Sequence, residues 1–379
     1  MGLNIIAPSV VLLVTLLVCL ACVIRIRGLR CKNYRTWRRV SETFVLALVI
    51  ILAAALGLGA AFNGVAGQYF FSRHSAPGKI YEIDGYKMHL YCTGQGSPTL
   101  VLDAGLGNDS LIWANVQPEL SKITQVCSYD RAGFGWSEPR PELRDAERLT
   151  EELHGLLTSA GVTGPIVLMG HSISGLYIRD YAARYRESLS GLVFVDGSTP
   201  LQNDRFPAEM QLAEKNESME LRKLEWLSIL GIRREMGGCA PEEGFSRSVA
   251  KMIAEDECRT SVLVAAAQEF SSVQQSGMET LHSGPFGDLP ILIFSQDPAQ
   301  PPPSGFSAEA GKSLSNTWNE MQEELKSLST RSRRIIAKGS SHYVQIDRVS
   351  LLIGEVTSFI KQIRGQMPER TDYGSTKIE

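Results

Sequence analysis

The sequence predicts an α/β domain, a mostly parallel sheet with helices on both faces, preceded by two membrane-spanning helices. Three observations lead there. Two uncharged apolar runs stand near the N-terminus, compact apolar runs then alternate with amphipathic segments, and residues 199–287 break that alternation. With 379 residues, 44% of them hydrophobic and 21% charged, the chain can bury a large core. A net charge of −3, from 38 basic and 41 acidic residues, argues against nucleic acid as the partner. Seven cysteines are too few for a disulfide scaffold, and no internal repeat is visible.

Residues 5–24 and 44–62 carry no charge, and 34 of these 39 residues are hydrophobic. At about 1.5 Å per residue, each run as a helix covers the roughly 30 Å hydrocarbon core of a bilayer. Only a helix satisfies its backbone within lipid, so residues 1–67 read as a membrane hairpin. The loop at 25–43 holds Arg25, Arg27, Arg30, Lys32, Arg35, Arg38 and Arg39, with no acidic residue from Arg25 to Arg39. Such an excess places the loop in the cytoplasm and everything after Gly67 on the extracytoplasmic side, whether periplasmic, extracellular or lumenal. A signal peptide fits less well, because the charges follow the first apolar run. Buried globular helices or a basic nucleic-acid patch would not explain two uncharged runs around a cationic loop. Apart from those seven positive charges, the rest of the chain carries −10.

After a polar linker at 68–78, strand candidates follow in order. Residues 79–83 and 87–91 form a hairpin through Asp84-Gly85, a turn pair suited to positive φ. Residues 99–103, 125–129, 166–169, 192–195, 290–294 and 334–337 are compact apolar runs, the mark of strands buried on both faces. Between them, residues 145–160 set Leu149, Leu153, Leu156 and Leu157 on one helical stripe that Gly161 ends. Residues 176–185 and 349–364 are further helix candidates. The core thus comprises 79–198 and 288–364, residues 199–287 form a helical cap, and the polar segment 365–379 is a flexible tail.

One strand ends in a chemical motif. The run Ile166-Val-Leu-Met-Gly170-His171-Ser172-Ile173-Ser174-Gly175 is a strand, a tight turn holding a serine, and a helix start. A serine on such a turn is pushed outward near the positive end of the helix. The pattern is Gly-x-Ser-x-Gly, with Ser174 where the second glycine belongs. A serine nucleophile needs a base and the base an orienting acid. Six histidines allow elimination. His74 falls in the linker, His89 in an early strand, His154 on the amphipathic helix and His282 in the cap, while His171 points away from Ser172. His342 remains, in a loop just past the last strand. Asp297, past the 290–294 strand, is taken as the acid, with Asp196 as its competitor. In open α/β sheets ligands bind at the carboxyl ends of strands, so all three groups share a rim. The oxyanion of an acyl-transfer reaction needs two backbone N–H donors, assigned to Ile173 and to Leu106 in the loop Ala104-Gly105-Leu106-Gly107-Asn108.

The element order, Gly-His-Ser-Ile-Ser-Gly, Tyr129-Asp130-Arg131-Ala132-Gly133-Phe134-Gly135-Trp136-Ser137 and Gly-Ser-Ser-His342 together resemble the α/β-hydrolase fold superfamily. The resemblance runs from about Ile80 to Ile363. It implies an eight-stranded sheet, a cap after the sixth strand, and a Ser-Asp-His triad on Ser172, Asp297 and His342; no cofactor is expected. Where many relatives have His-Gly in the oxyanion loop, this chain has Asp103-Ala104-Gly105. The Asp130-Arg131 segment resembles a turn that packs under the site. The family's strand order sets Cys92 beside Cys127, while Cys239 and Cys258 bracket a cap segment. Both pairs are expected as disulfides on an oxidising side, with Cys19, Cys22 and Cys31 reduced. No metal-ligand spacing appears.

The expected function is a membrane-anchored serine hydrolase, carboxylesterase- or lipase-like, cleaving an ester, amide or thioester of a small or lipid-like acyl substrate. A proline-iminopeptidase-like peptidase, a cofactor-free haloperoxidase and a non-catalytic binding or scaffold protein are the rivals. Dehalogenase and epoxide hydrolase chemistry is disfavoured, since this fold performs it with an aspartate where Ser172 stands. Trp113, Trp136, Phe245 and Phe270 are candidates to line an acyl pocket. Asn108-Asp-Ser and Asn216-Glu-Ser fit glycosylation acceptors.

Overall fold

The computed structural model describes residues 3–31, 34–141, 143–241, 243–301, 305–368 and 376–379, with the backbone alone at 3–7 and 218. Lys32 of the basic loop lies outside them. Two long helices come first, α1 (Leu3–Cys31) and α2 (Thr36–Arg73). Both have the length and composition to cross a bilayer, and their apolar side chains stay largely uncovered, Leu13 at 57% and Ile51 at 66% exposed. They pack on each other closely, since a Cβ on Gly57 would strike the Thr15 side chain. The hairpin differs from the expected one in two ways. Arg25, Arg27 and Arg30 belong to α1 and Arg38 and Arg39 to α2, and Glu42 pairs with Arg25 at 2.7 Å. The expected linker is helical as far as Arg73, because Phe71 packs on Trp136, with ring centroids 5.6 Å apart, and under the Arg259 guanidinium.

The sheet strands are β1 (Lys79–Ile83), β2 (Tyr86–Thr93), β3 (Thr99–Asp103), β4 (Val126–Asp130), β5 (Ile166–His171), β6 (Leu189–Val195), β7 (Ile291–Ser295), β8 (Ser332–Ile336) and β9 (Thr376–Ile378). Their order is β1-β2-β4-β3-β5-β6-β7-β8-β9. Pairing is antiparallel through β1, β2 and β4 and parallel from there on. Asp84 and Gly85 take φ of 51° and 82°, as the hairpin turn requires. Among the described residues the sheet has nine strands, not eight. The end of the expected tail forms β9, which pairs with β8 from Arg334↔Thr376 to Ile336↔Ile378. A parallel neighbour satisfies edge groups that β8 would otherwise expose.

The helices after the hairpin are α3 (Gln117–Leu120), α4 (Ala146–Ser159), α5 (Ser174–Arg184), α6 (Gln202–Arg205), α7 (Ala208–Ile229), α8 (Ile232–Glu235), α9 (Arg247–Glu257), α10 (Thr260–Ser271), α11 (Val273–Thr280), α12 (Ala308–Glu324), α13 (Val344–Asp347) and α14 (Val349–Ile363). Helices α6 to α11 form the cap after β6. The two-residue period of the strands divides the core between two faces. Val101, Leu168 and Ile293 face α4 and α5, against Leu153, Leu156 and Tyr181. Leu102, Met169 and Phe294 face the other way, against Leu352, Val356 and Phe359 of α14 and against Trp113. Trp113 is fully buried there, which makes it core and not pocket wall. Asp145 caps α4 by accepting from Arg148 N at 3.0 Å.

Cys92 and Cys127 are register partners across β2 and β4, and their sulfurs bond with Cα atoms 4.0 Å apart. Cys239 and Cys258 pair within the cap at a Cα separation of 5.7 Å.

Candidate active site

Ser172 sits between β5 and α5 with φ +55°, in the left-handed region that a serine enters only under constraint. The constraint is visible on both sides. Ser172 N donates to Val195 O at 3.1 Å, and Ser172 O accepts from Ser198 N at 2.8 Å. A Cβ on Gly175 would fall 2.7 Å from Ser198 O, so the glycine that close approach demands is Gly175. That leaves position 174 room for a side chain. Ser174 uses it to donate to Asp103 Oδ2 at 2.6 Å, fully buried. The two departures from the family pattern, Ser174 and Asp103, are therefore each other's hydrogen-bond partners.

His342 arrives from the loop after β8. Its Nε2 lies 2.8 Å from Ser172 Oγ, and its Nδ1 lies 2.6 Å from Asp196 Oδ2. Asp196, not Asp297, is thus the acid beside His342. Both aspartates follow strand ends and both preserve the chain order Ser, Asp, His, so order alone does not separate them. Space does, because β6 adjoins β5 while β7 lies one strand further out. Asp196 is fully buried, and its Oδ1 accepts from Gln296 N at 3.0 Å and Trp318 Nε1 at 2.9 Å. Asp297 turns elsewhere, accepting from Ala299 N at 2.9 Å and Gly339 N at 2.8 Å, which holds its carboxyl below the usual range. It shapes the loop that carries His342 without touching the imidazole.

His171 does not point away from the site. Its ring centroid is 4.7 Å from that of His342, and its Nε2–H donates to His342 O at 3.1 Å. Its other nitrogen, Nδ1, is buried without a partner. Burial and the neighbouring His342 hold this imidazole well below its usual pKa, so it is neutral and supports the His342 loop.

The loop expected to supply an oxyanion donor lies against the nucleophile. A Cβ on Gly105 would be 3.3 Å from Ser172 Cβ, and Leu106 and Ile173 share one apolar cluster with Leu176 and Tyr177. Arg131 fixes this loop from behind, donating to Ala104 O at 2.6 Å and Gly105 O at 2.7 Å. The same guanidinium pairs with Asp103 at 2.8 Å and with Glu269, from cap helix α10, at 2.9 Å. Arg144 reaches Glu269 at 2.8 Å. Burial alone would raise Glu269, but the two arginines outweigh it and hold it below the usual carboxylate range. Asp130 plays a separate structural part, accepting from His89 Nδ1, Ser110 N and Trp136 N.

Sequence reasoning passed over Trp318, Glu269 and the partnership of Ser174 with Asp103. The α12 pattern was available, since Ser307 caps its N-terminus. Glu269 gave no signal, because a glutamate on a cap helix looks solvated until the cap is folded onto the core.

An alpha/beta hydrolase family model matches residues 100–351. An uncharacterized Schizosaccharomyces pombe protein is 26% identical over 74% of this chain, which spans 56% of that relative's length. YqjL of Bacillus subtilis, also uncharacterized, is 26% identical over 71% of this chain and 86% of its own. An AB hydrolase superfamily protein of Gibberella zeae is 23% identical over 70% and 87%. Among solved structures, the enol-lactonase from Burkholderia xenovorans superposes with a TM-score of 0.53 at 19% identity, over 75% of this chain and all of that one. The Cif epoxide hydrolase from Acinetobacter nosocomialis gives 0.61 at 16%, over 79% and 96%. At those identities the structural likeness is one of fold. The family match is more specific, running from β3 into α14 and taking in Ser172, Asp196 and His342, and the chain belongs to the α/β-hydrolase family.

Proposed function

We propose that this chain is a membrane-anchored serine hydrolase that cleaves an acyl ester through Ser172, His342 and Asp196. The observation that carries the reading is the unbroken relay, 2.6 Å from Asp196 to His342 and 2.8 Å from His342 to Ser172, ending on a serine held at φ +55°. His342 Nε2 takes the Ser172 proton as Oγ attacks the carbonyl carbon, and Asp196 holds the ring and balances its charge. The backbone N–H groups of Ile173 and Leu106 receive the oxyanion. His342 then returns the proton to the leaving alcohol, and the acyl group stays on Ser172. Water, deprotonated by His342, releases it as a carboxylic acid and restores the serine.

Two features support an extracytoplasmic catalytic domain. Arginine crowds the connection between the apolar helices, and Cys92–Cys127 and Cys239–Cys258 are paired, which an oxidising compartment favours. The test is Ser172→Ala. Hydrolysis of a p-nitrophenyl ester should fall by about 10⁶-fold in kcat, with covalent fluorophosphonate labelling abolished and thermal unfolding unchanged. Wild-type turnover in that variant would overturn the mechanism.

A further inference from the structure

Helix α7 carries an acid-free exposed face. At about 100° per residue, Leu212, Lys215, Met219, Arg222, Lys223 and Trp226 fall within one arc about 120° wide. Glu209, Glu214, Glu217, Glu220 and Glu225 all lie outside it, with Lys223 pairing to Glu220 at its edge. The large apolar members stand clear of the protein, Leu212 at 60%, Met219 at 63% and Trp226 at 62% exposed. Apolar and basic side chains mixed on one exposed face fit a membrane surface with anionic headgroups, where the stems bury and the charges stay wet.

The ends of α7 say which surface that is. Its C-terminal end packs on the second apolar helix. Asn63 Nδ2 donates to Ser228 O at 2.8 Å, and a Cβ on Gly59 would sit 2.5 Å from Leu230 O. Gly59 lies inside the apolar run 44–62, three residues from its end, so this end of α7 is level with the outer edge of the span. Trp226 is one turn earlier, at the depth where tryptophan anchors. At the other end, Phe206 precedes α7 and stacks on Trp318 with centroids 6.1 Å apart, and Trp318 donates to Asp196. One helix therefore runs from bilayer level to the relay.

We infer that α7 lies in the headgroup layer of the extracytoplasmic leaflet and that the acyl substrate enters from there, as an ester with a long aliphatic chain. This rests on the membrane-anchored hydrolase reading above. The test uses the full chain with Cys19, Cys22 and Cys31 replaced by serine, reconstituted in phosphatidylcholine vesicles with and without phosphatidylglycerol. A nitroxide at Met219→Cys should be accessible to oxygen and shielded from a water-soluble nickel complex, more deeply with phosphatidylglycerol, while one at Glu217→Cys shows the reverse. Equal nickel access at both positions would overturn the proposal, as would a glycan on Asn216, which shares the arc. The variant Leu212→Glu/Met219→Glu/Trp226→Glu should lose about tenfold or more in kcat/KM on a long-chain ester held in the bilayer. It should keep wild-type rates on a dissolved short-chain ester, and equal rates on both substrates would overturn the entry route. Absent fluorophosphonate labelling of the unmutated chain would overturn the hydrolase reading alone, because nitroxide depth does not depend on catalysis.

Discussion

Two polar chains approach Ser172 from opposite sides, and they are built on opposite principles. On one side, Asp196, His342 and Ser172 run from full burial to an imidazole that is 34% exposed. On the other, Asp103, Arg131, Glu269 and Arg144 are all at 2% exposure or less, two negative charges against two positive. In the proposed mechanism the first chain ends on a histidine that exchanges protons, and that end opens toward water. The second has no proton to move. Its closed charge count stabilises a fixed arrangement, and what it fixes is the pair of carbonyls at Ala104 and Gly105 in the loop proposed to receive the oxyanion. In that mechanism proton transfer and rigidity fall to separate groups.

The sharpest way to break this contrast is at the acids. Asp196→Asn should lower kcat by about 10⁴-fold, because the amide cannot hold the imidazole in the productive tautomer. Asp297→Asn should stay within a few-fold of wild type. Steady-state ester hydrolysis by the two variants decides between them, and the reverse ranking would return the acid to Asp297. On the static side, Glu269→Gln leaves two buried arginines facing one carboxylate and should destabilise the fold by about 3 kcal/mol in chemical denaturation. If Glu269 also positions the loop, kcat falls by about tenfold or more with KM little changed, since the oxyanion contact matters most in the transition state.

The smallest effect lies between the two chains, at His171. Burial depresses its folded pKa, while the unfolded chain titrates near 6.5. Above about pH 6.5 both states are neutral there and its contribution to stability is fully present. Below that pH the unfolded state takes up a proton that the folded state refuses, and stability falls by as much as about 1.4 kcal/mol per pH unit. His171→Gln should flatten that slope in denaturant titrations between pH 5 and 7. An unchanged slope would mean that another group carries it.

The strands, the serine turn and the histidine loop were legible because each rests on local pattern. Ile166 to Gly175 encode strand, turn and helix within ten residues, and His342 survives elimination among six histidines. The acid was not legible, since Asp196 and Asp297 share the same local setting and differ only in which strand lies beside β5. Residues that act across domains were less visible still. Glu269 and Arg131 are 138 positions apart, and nothing in either segment announces the other. The last strand escaped for a different reason. Thr376 to Ile378 is too short to show a period, and only a waiting edge on β8 turns it into structure.

Helix α2 has a mechanical consequence. Its 38 residues rise about 57 Å without a break, nearly twice a hydrocarbon core. With residues 44–62 in a bilayer, as proposed, the stretch from Asn63 to Arg73 is a stiff stem about 16 Å long, bolted to the globular body at Asn63 and Phe71. A flexible leash would let the enzyme sample every height and tilt above the surface. In the proposed anchored hydrolase a rod sets one working distance, and molecules that never come to that level would go uncut however well they would fit.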